Sequence, residues 1–223
     1  MVKRRKQKKK GESVHFIGIG GIGVSALAKY FLARGASLSG SDIKETEITN
    51  ELQQLGARIK IGPHKAQNIP SGTARVIYTA AVRKENPEYR EAKQRRIPTQ
   101  SYAEAIGELT KKYETITISG AHGKSTTAAH YALVLEEGYC DPTVIIGTKV
   151  KEFGDSNFRK GMGPYLVLEA DEWNKSFLNY SPKIAIITNI DAEHLDTYKN
   201  LGDIKKTFLL YLKKIPSDGA VIA

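Results

Sequence analysis

Two glycine-rich turns constrain this chain more than any other feature. GIGGIG (18–23) follows the strand-like run SVHFI and leads into the helix-like run VSALAKYFLARG, and SGAHGKSTT (119–127) follows ETITI and leads into AAHYALVLEEG. A chain that passes from a strand through a tight turn into a helix must cross back over the sheet before it lays down the next strand. Each turn therefore opens a β–α–β crossover, and the strands are expected to run parallel with helices on both faces. The rest of the sequence keeps the alternation. ASLSGSD, ARIKIG and ARVIYTAAV read as strands, and EITNELQQLG and NPEYREAKQRR as helices that stop at Gly56 and before Ile97-Pro98. On the first helix, a 3.6-residue period places Ile22, Ala26, Leu27, Tyr30 and Phe31 on one face.

A second cycle begins with the helix SYAEAIGELTKKY (101–113) and continues through ETITISG, the second turn and its helix. DPTVIIG, PYLVLEAD and SPKIAIITNI follow as strands, LGDIKKTFLLYLKKIP as a helix and GAVIA as a last strand, with no internal repeat. The expectation is an α/β chain in three parts: a basic tail at 1–12, a parallel-sheet domain at 13–110 with its boundary near residues 108–113, and a second α/β domain at 111–223. The chain stops at a strand, so the second domain is expected to be incomplete or a third to be missing.

Charge bears on the partners. The net charge is +10, but MVKRRKQKKK carries seven of the 34 Lys+Arg residues and reads as a solvated tail. The mildly basic remainder suits phosphorylated small molecules as partners, with no stable nucleic acid. Cys140 is the only cysteine, which excludes an internal disulfide framework and a cysteine zinc site and fits a reduced, cytoplasmic setting. No run approaches the roughly 20 apolar residues a transmembrane helix needs.

In the first turn, Gly18, Gly20 and Gly23 satisfy G-x-G-x-x-G between a strand and a helix. Glycines let the backbone approach a pyrophosphate, and the helix N-terminus offers free N–H groups and a partial positive charge. Asp42 ends the next strand, where an acid can bond a ribose hydroxyl. The motif alone does not choose between NAD, FAD and a UDP-sugar. In the second turn, Gly120 and Gly123 free the backbone, Lys124 can reach β- and γ-phosphates, and Ser125, or alternatively Thr126, can bind Mg²⁺ through a hydroxyl. The turn is short, with Ile118 where the longer phosphate loop has its first glycine. Acidic and other polar side chains cluster at two later strand ends: Glu169, Asp171 and Glu172 in LVLEADE, then Asn189, Asp191, Glu193, His194 and Asp196 in ITNIDAEHLD. In an open parallel sheet, ligands sit beyond those ends. His194 can bind a second metal or meet a phosphate, His122 has no derivable role, and His15, His64 and His130 read as structural or surface residues.

HFIGIGGIGVSALA, GSD, GAHGKSTT, EADE…SFL and TNIDAEHLD, in this order, resemble the Mur ligases from about Val14 onward. The resemblance implies a Rossmann-like UDP-substrate domain followed by a P-loop-type ATPase domain, with the family's third, amino-acid-binding domain absent. It implies Gly18, Gly20, Gly21 and Gly23 at the UDP pyrophosphate, Asp42 near the ribose, and Gly120, Ala121, His122, Gly123, Lys124, Ser125 and Thr126 as the ATP loop in its short form. It implies Ser125 and Glu169 at one Mg²⁺ and His194 at a second, with Lys124, Glu169 and His194 catalytic. The implied reaction is ATP-dependent ligation of L-alanine to UDP-N-acetylmuramate through an acyl phosphate, in peptidoglycan precursor synthesis. A non-ligating UDP-sugar- and ATP-binding fragment is the alternative, and a dinucleotide oxidoreductase is disfavoured by Lys124. The chain departs from the family pattern at Ala121, Ser125, Trp173-Asn174 and Glu193. Ser125 keeps the metal hydroxyl, whereas Asn174 removes a charge.

Overall fold

The structure is a computed structural model that describes residues 11–194 and 196–223. The basic tail falls almost wholly outside them. The chain forms two compact units. The first joins the residues up to Gly20 with Ala28–Thr99, and the second joins Gly21–Leu27 with Gln100–Ala223.

The first unit is built on β1 (Ser13–Ile17), β2 (Ser37–Asp42), β3 (Arg58–Ile61), β4 (Arg75–Tyr78) and β5 (Thr99–Ser101). They form one sheet in the order β3-β2-β1-β4-β5. β1 runs parallel to β2 and β4, and β2 parallel to β3. The order reverses at β1, so the first glycine turn leaves the sheet at its switch point, where such sheets bind ligands. Helix α1 (Ile22–Ala33) opens directly after the turn. Ala26, Leu27 and Tyr30 are buried as the period requires, but Ile22, at the helix's first position, is exposed.

Local chemistry sets the other helix ends of this unit. Thr46 caps α2 (Glu47–Gln54) in a reciprocal capping box with Thr49. Asn86 caps α3 (Pro87–Gln94) by accepting from the N–H groups of Glu88 and Tyr89, with Pro87 pre-set at the first helical position. Ile17, Ile69, Val76, Ala92 and Ile97 form an apolar cluster here.

A polar knot lies in the same unit. The fully buried carboxylate of Glu88 accepts from His15 Nε2 and Ser41 Oγ on one oxygen, and from His64 Nδ1 and Asn68 Nδ2 on the other, all at 2.8 Å. Burial alone would push this carboxyl up, but the bonds from His15, Asn68, His64 and Ser41 outweigh it and bring the pKa down to about 2. A folded pKa below the unfolded value means stability that is complete above the ordinary carboxylate range and is lost as pH falls towards 2. Glu88→Gln is expected to remove roughly 2–3 kcal/mol of that acid-sensitive stability. Thermal unfolding followed between pH 7 and pH 2.5 checks it: the parent's midpoint falls steeply below pH 4.5, and the variant's curve is flatter over the same range.

The second unit has a six-stranded sheet, β11-β10-β6-β9-β7-β8. In chain order its strands are β6 (Glu114–Ser119), β7 (Thr143–Val150), β8 (Ser156–Arg159), β9 (Tyr165–Glu169), β10 (Ile184–Ile187) and β11 (Ala220–Ile222). β6 lies between β10 and β9, parallel to both, and only the β7–β8 pair is antiparallel among the registers seen. Ser101 caps α4 (Tyr102–Thr110) in a capping box with Glu104. Helix α5 (Lys124–Glu137) follows the second turn, and α6 (Leu201–Leu212) starts at the Asn200 cap.

Alternation along β6 divides its residues between the two faces. Ile116 and Ile118 join Ala128 and Ala132 of α5 and Val144, Ile146 and Val167 in one core. Thr115 and Thr117 point the other way and are equally buried, because the Thr115 hydroxyl donates to Thr110 O and Thr117 Oγ1 accepts from Tyr211 OH at 2.6 Å. Phe177 stacks on that tyrosine at 4.5 Å between ring centroids. Among the described residues, no helix is long and apolar enough to cross a membrane.

Candidate active site

In the first unit, two consecutive β2 residues hold the glycine turn. Ser41 O accepts from Gly18 N at 2.9 Å and from Ile19 N at 3.1 Å. Asp42 Oδ2 accepts from Gly20 N at 2.8 Å, and Oδ1 lies 3.3 Å from Lys44 N. Asp42 therefore shapes the turn as well as ending the strand. Gly21 accepts the first helical bond of α1 from Ser25 N, and Gly23 lies within the first turn of that helix.

In the second unit, β6 ends at Ser119 and the loop turns through Gly120 into α5. Gly120 has φ +129°, and a Cβ there would meet Thr188 Oγ1 at 2.4 Å and Asn189 O at 2.5 Å. Gly123, at φ +81°, precedes α5 and supplies no side-chain cap, so side chains leave the helix's first N–H groups free for an anion. Asn189 grips the loop at both polarities: its Oδ1 accepts from His122 N at 3.0 Å and its Nδ2 donates to His122 O at 2.9 Å. Thr188 Oγ1 donates to the same carbonyl at 2.6 Å. The sequence gives Asn189 no role and Thr188 none, and the TN pair at a strand end is the only sign of their grip on the loop.

Lys124 Nζ donates to the carbonyls of Gly120 at 2.6 Å and Ala121 at 3.1 Å and lies 3.6 Å from Glu172 Oε2. The ammonium thus sits over its own loop. Ser125 Oγ donates to Glu169 Oε2 at 3.0 Å, and Gly147 N donates to that oxygen at 2.7 Å. Ser125, rather than the exposed Thr126, is the hydroxyl that meets an acid.

His194 lies with a different pair of acids, 3.8 Å from Asp171 and 4.0 Å from Glu172. Ligand atoms of Asp171, Glu172 and His194 all fall within 4.8 Å of one another. Glu172 is buried, and its Oε2 has no hydrogen-bond partner among the described residues. Burial raises its carboxyl above the ordinary range, opposed by the charge of Lys124 and by His194. Oε2 faces the Lys124 ammonium, while Oε1 is the oxygen 4.0 Å from His194, and a buried carboxylate beside a histidine and a second acid suits a hard divalent cation. The serine–glutamate pair, a hydroxyl and a carboxylate already in contact, suits one equally. Tyr198 OH donates to Glu172 O at 2.5 Å and fixes this segment, and Trp173 Nε1 donates to Asp196 Oδ2 at 3.0 Å. Asn174 and Lys175 have φ of 52° and 55°. Asparagine tolerates this left-handed backbone better than most residues.

Two family models cover the described part of the chain almost end to end: Mur ligase family, catalytic domain, at residues 13–114, and Mur ligase middle domain at 118–223. The UDP-N-acetylmuramate–L-alanine ligase of Geotalea uraniireducens is 45% identical over 95% of this chain and 45% of its own length. That of Desulfatibacillum aliphaticivorans is 46% identical over 95% and 46%. The crystal structure of UDP-N-acetylmuramate-alanine ligase from Thermotoga maritima superposes with a TM-score of 0.84 at 36% identity, covering 94% of this chain and 48% of that one. The chain thus spans about half the length of the curated relatives it matches. Two consecutive family models, these relatives and the shared fold agree with the two glycine turns and the acids around the second, and the chain belongs to the Mur ligase family.

Proposed function

We propose that this chain carries the UDP-substrate and ATP sites of a ligase that joins L-alanine to UDP-N-acetylmuramate. The relatives bear that name, and the observation that carries the reading is the second turn. A lysine folded over its own loop, an open helix N-terminus and a Ser125–Glu169 pair converge at the end of β6. In this reading a carboxylate of the UDP-sugar attacks the γ-phosphate with ADP as the leaving group, and the amine of L-alanine then displaces phosphate from the acyl phosphate and gives up a proton as the amide forms. A carboxylate attacking a phosphate anion meets electrostatic repulsion, so the protein's task is largely charge compensation and placement. Lys124 supplies a cation at the phosphates, and the N–H groups opening α5 supply partial positive charge. Ser125 and Glu169 would hold Mg²⁺, with His194, Asp171 and Glu172 as the set for a second ion; the metal would neutralise charge on the phosphates. At the first glycine turn, Gly18, Gly20, Gly21 and Gly23 would take the UDP pyrophosphate and Asp42 the ribose.

Calorimetry on the purified chain tests this. UDP-N-acetylmuramate should bind in the absence of ATP, and ATP should bind more tightly with Mg²⁺ than without. Glu169→Ala should lower Mg²⁺-dependent ATP affinity about tenfold or more, with an unchanged circular dichroism spectrum. Equal ATP affinity with and without Mg²⁺ in the parent would remove the metal roles, and absence of UDP-sugar binding would remove the substrate assignment.

A further inference from the structure

We infer that Glu88 is a positioning residue for the substrate turn: through Ser41, it fixes the backbone that receives the diphosphate of a UDP-sugar. The substrate part of this inference rests on the reading proposed above. The observation is that Ser41 faces two ways. Its hydroxyl donates to Glu88 Oε2 at 2.8 Å, while its carbonyl accepts from both Gly18 N and Ile19 N. The next residue, Asp42, takes Gly20 N. Three consecutive amides of the turn therefore hang on two consecutive residues of β2, and the first of the two is tied to Glu88.

Glu88 is itself over-determined. Its other bonds come from His15 on β1 and from His64 and Asn68 in the segment after β3, so the carboxylate joins three parts of the unit to α3. His15 Nδ1 adds a 2.9 Å contact to Ser39 Oγ, two residues before Ser41 and on the same face of β2. Asn86 and Pro87 place Glu88 in the first turn of α3, where the helix end favours a negative charge. A knot serving stability alone has no need to engage the residue whose carbonyl carries the turn, and well-packed apolar side chains fill such space at least as well.

The test uses the whole chain with Glu88→Gln and Ser41→Ala. The second variant removes one hydroxyl and leaves the bonds of Glu88 to His15, His64 and Asn68 in place. Amide hydrogen exchange at Gly18, Ile19 and Gly20, read by NMR on ¹⁵N-labelled protein, should quicken about tenfold or more relative to Ile77 in the sheet. UDP-N-acetylmuramate affinity should fall about tenfold, and MgATP affinity should not change. If Glu88→Gln does not fold, Ser41→Ala decides the matter. A lower melting temperature with unchanged exchange at the three amides and unchanged UDP-sugar affinity would make the knot purely structural and overturn the inference. Faster exchange in a chain whose parent form binds no UDP-sugar would leave Glu88 as the support of the turn and overturn the substrate reading instead.

Discussion

Lys124→Ala is expected to lower MgATP affinity by about 1.5–3 kcal/mol, roughly 10- to 150-fold, the range for a hydrogen bond to a charged group. UDP-sugar affinity should stay at the parent value, because the first turn is held by β2 residues of its own unit. The substitution also removes the cation 3.6 Å from the buried Glu172 carboxylate. That carboxyl is already raised by burial, and losing Lys124 takes away the charge that opposes the rise. Glu172 should therefore take up a proton more readily in the variant, and the fold should survive. Lys124→Met, which keeps the aliphatic stem, should lose as much ATP affinity as alanine does. Calorimetry with MgATP and with UDP-N-acetylmuramate separates the two sites, and unchanged ATP affinity in both variants would take the phosphate role away from the loop.

Gly120→Ala should damage the protein more than any loop substitution that removes a polar group. The new Cβ would lie 2.4 Å from Thr188 Oγ1 and 2.5 Å from Asn189 O, and the backbone is at φ +129°. Crowding of a packed site and left-handed strain each cost about 1–3 kcal/mol, so together they come to roughly 2–6 kcal/mol. The protein can meet that cost by melting earlier, or by pulling the loop off Thr188 and Asn189 and losing nucleotide. Gly123→Ala is the control. It has φ +81° but nothing within 4 Å of an added Cβ, so only the backbone term applies, about 1–2 kcal/mol. Melting curves with and without MgATP check both variants. A Gly120→Ala protein with the parent's melting temperature and ATP affinity would refute the crowding argument.

The alternation of strand and helix was legible because each element has its own local signature. Apolar runs of strand length lead into the glycine turns, and Asn86-Pro87 and Ser101-x-x-Glu104 mark helix starts in the residues themselves. The family resemblance came from the same local motifs. The strand Thr99–Ser101 was missed because three half-buried polar residues have no period to detect. Ser156–Arg159 was missed because a short antiparallel edge carries no crossover signal.

The polar interior was harder to read. Glu88 sits in the charged helix PEYREAKQ and looks like a solvated acid until its four donors, from three other segments, are seen around it. His15 and His64 read as structural or surface residues for the same reason. In the second site the loop, Lys124, Ser125 and Glu169 were legible from motif and strand end. The pairing of His194 with Asp171 and Glu172, and the grip of Asn189 on His122, were not. Both depend on side chains meeting across distant stretches of sequence.

That grip also orders events in time. His122 is held by Thr188 and Asn189, which stand 66 and 67 positions further along the chain. The contact exists only once β10 has joined β6, with Ile187 opposite Ser119. The strand, turn and helix of this motif are local in sequence, but the loop gains its hold from Thr188 and Asn189 only after a long and entropically slow closure. The finished loop is thus expected late on the folding route, and a nucleotide that needs it would stabilise the native state by mass action rather than an early folding species.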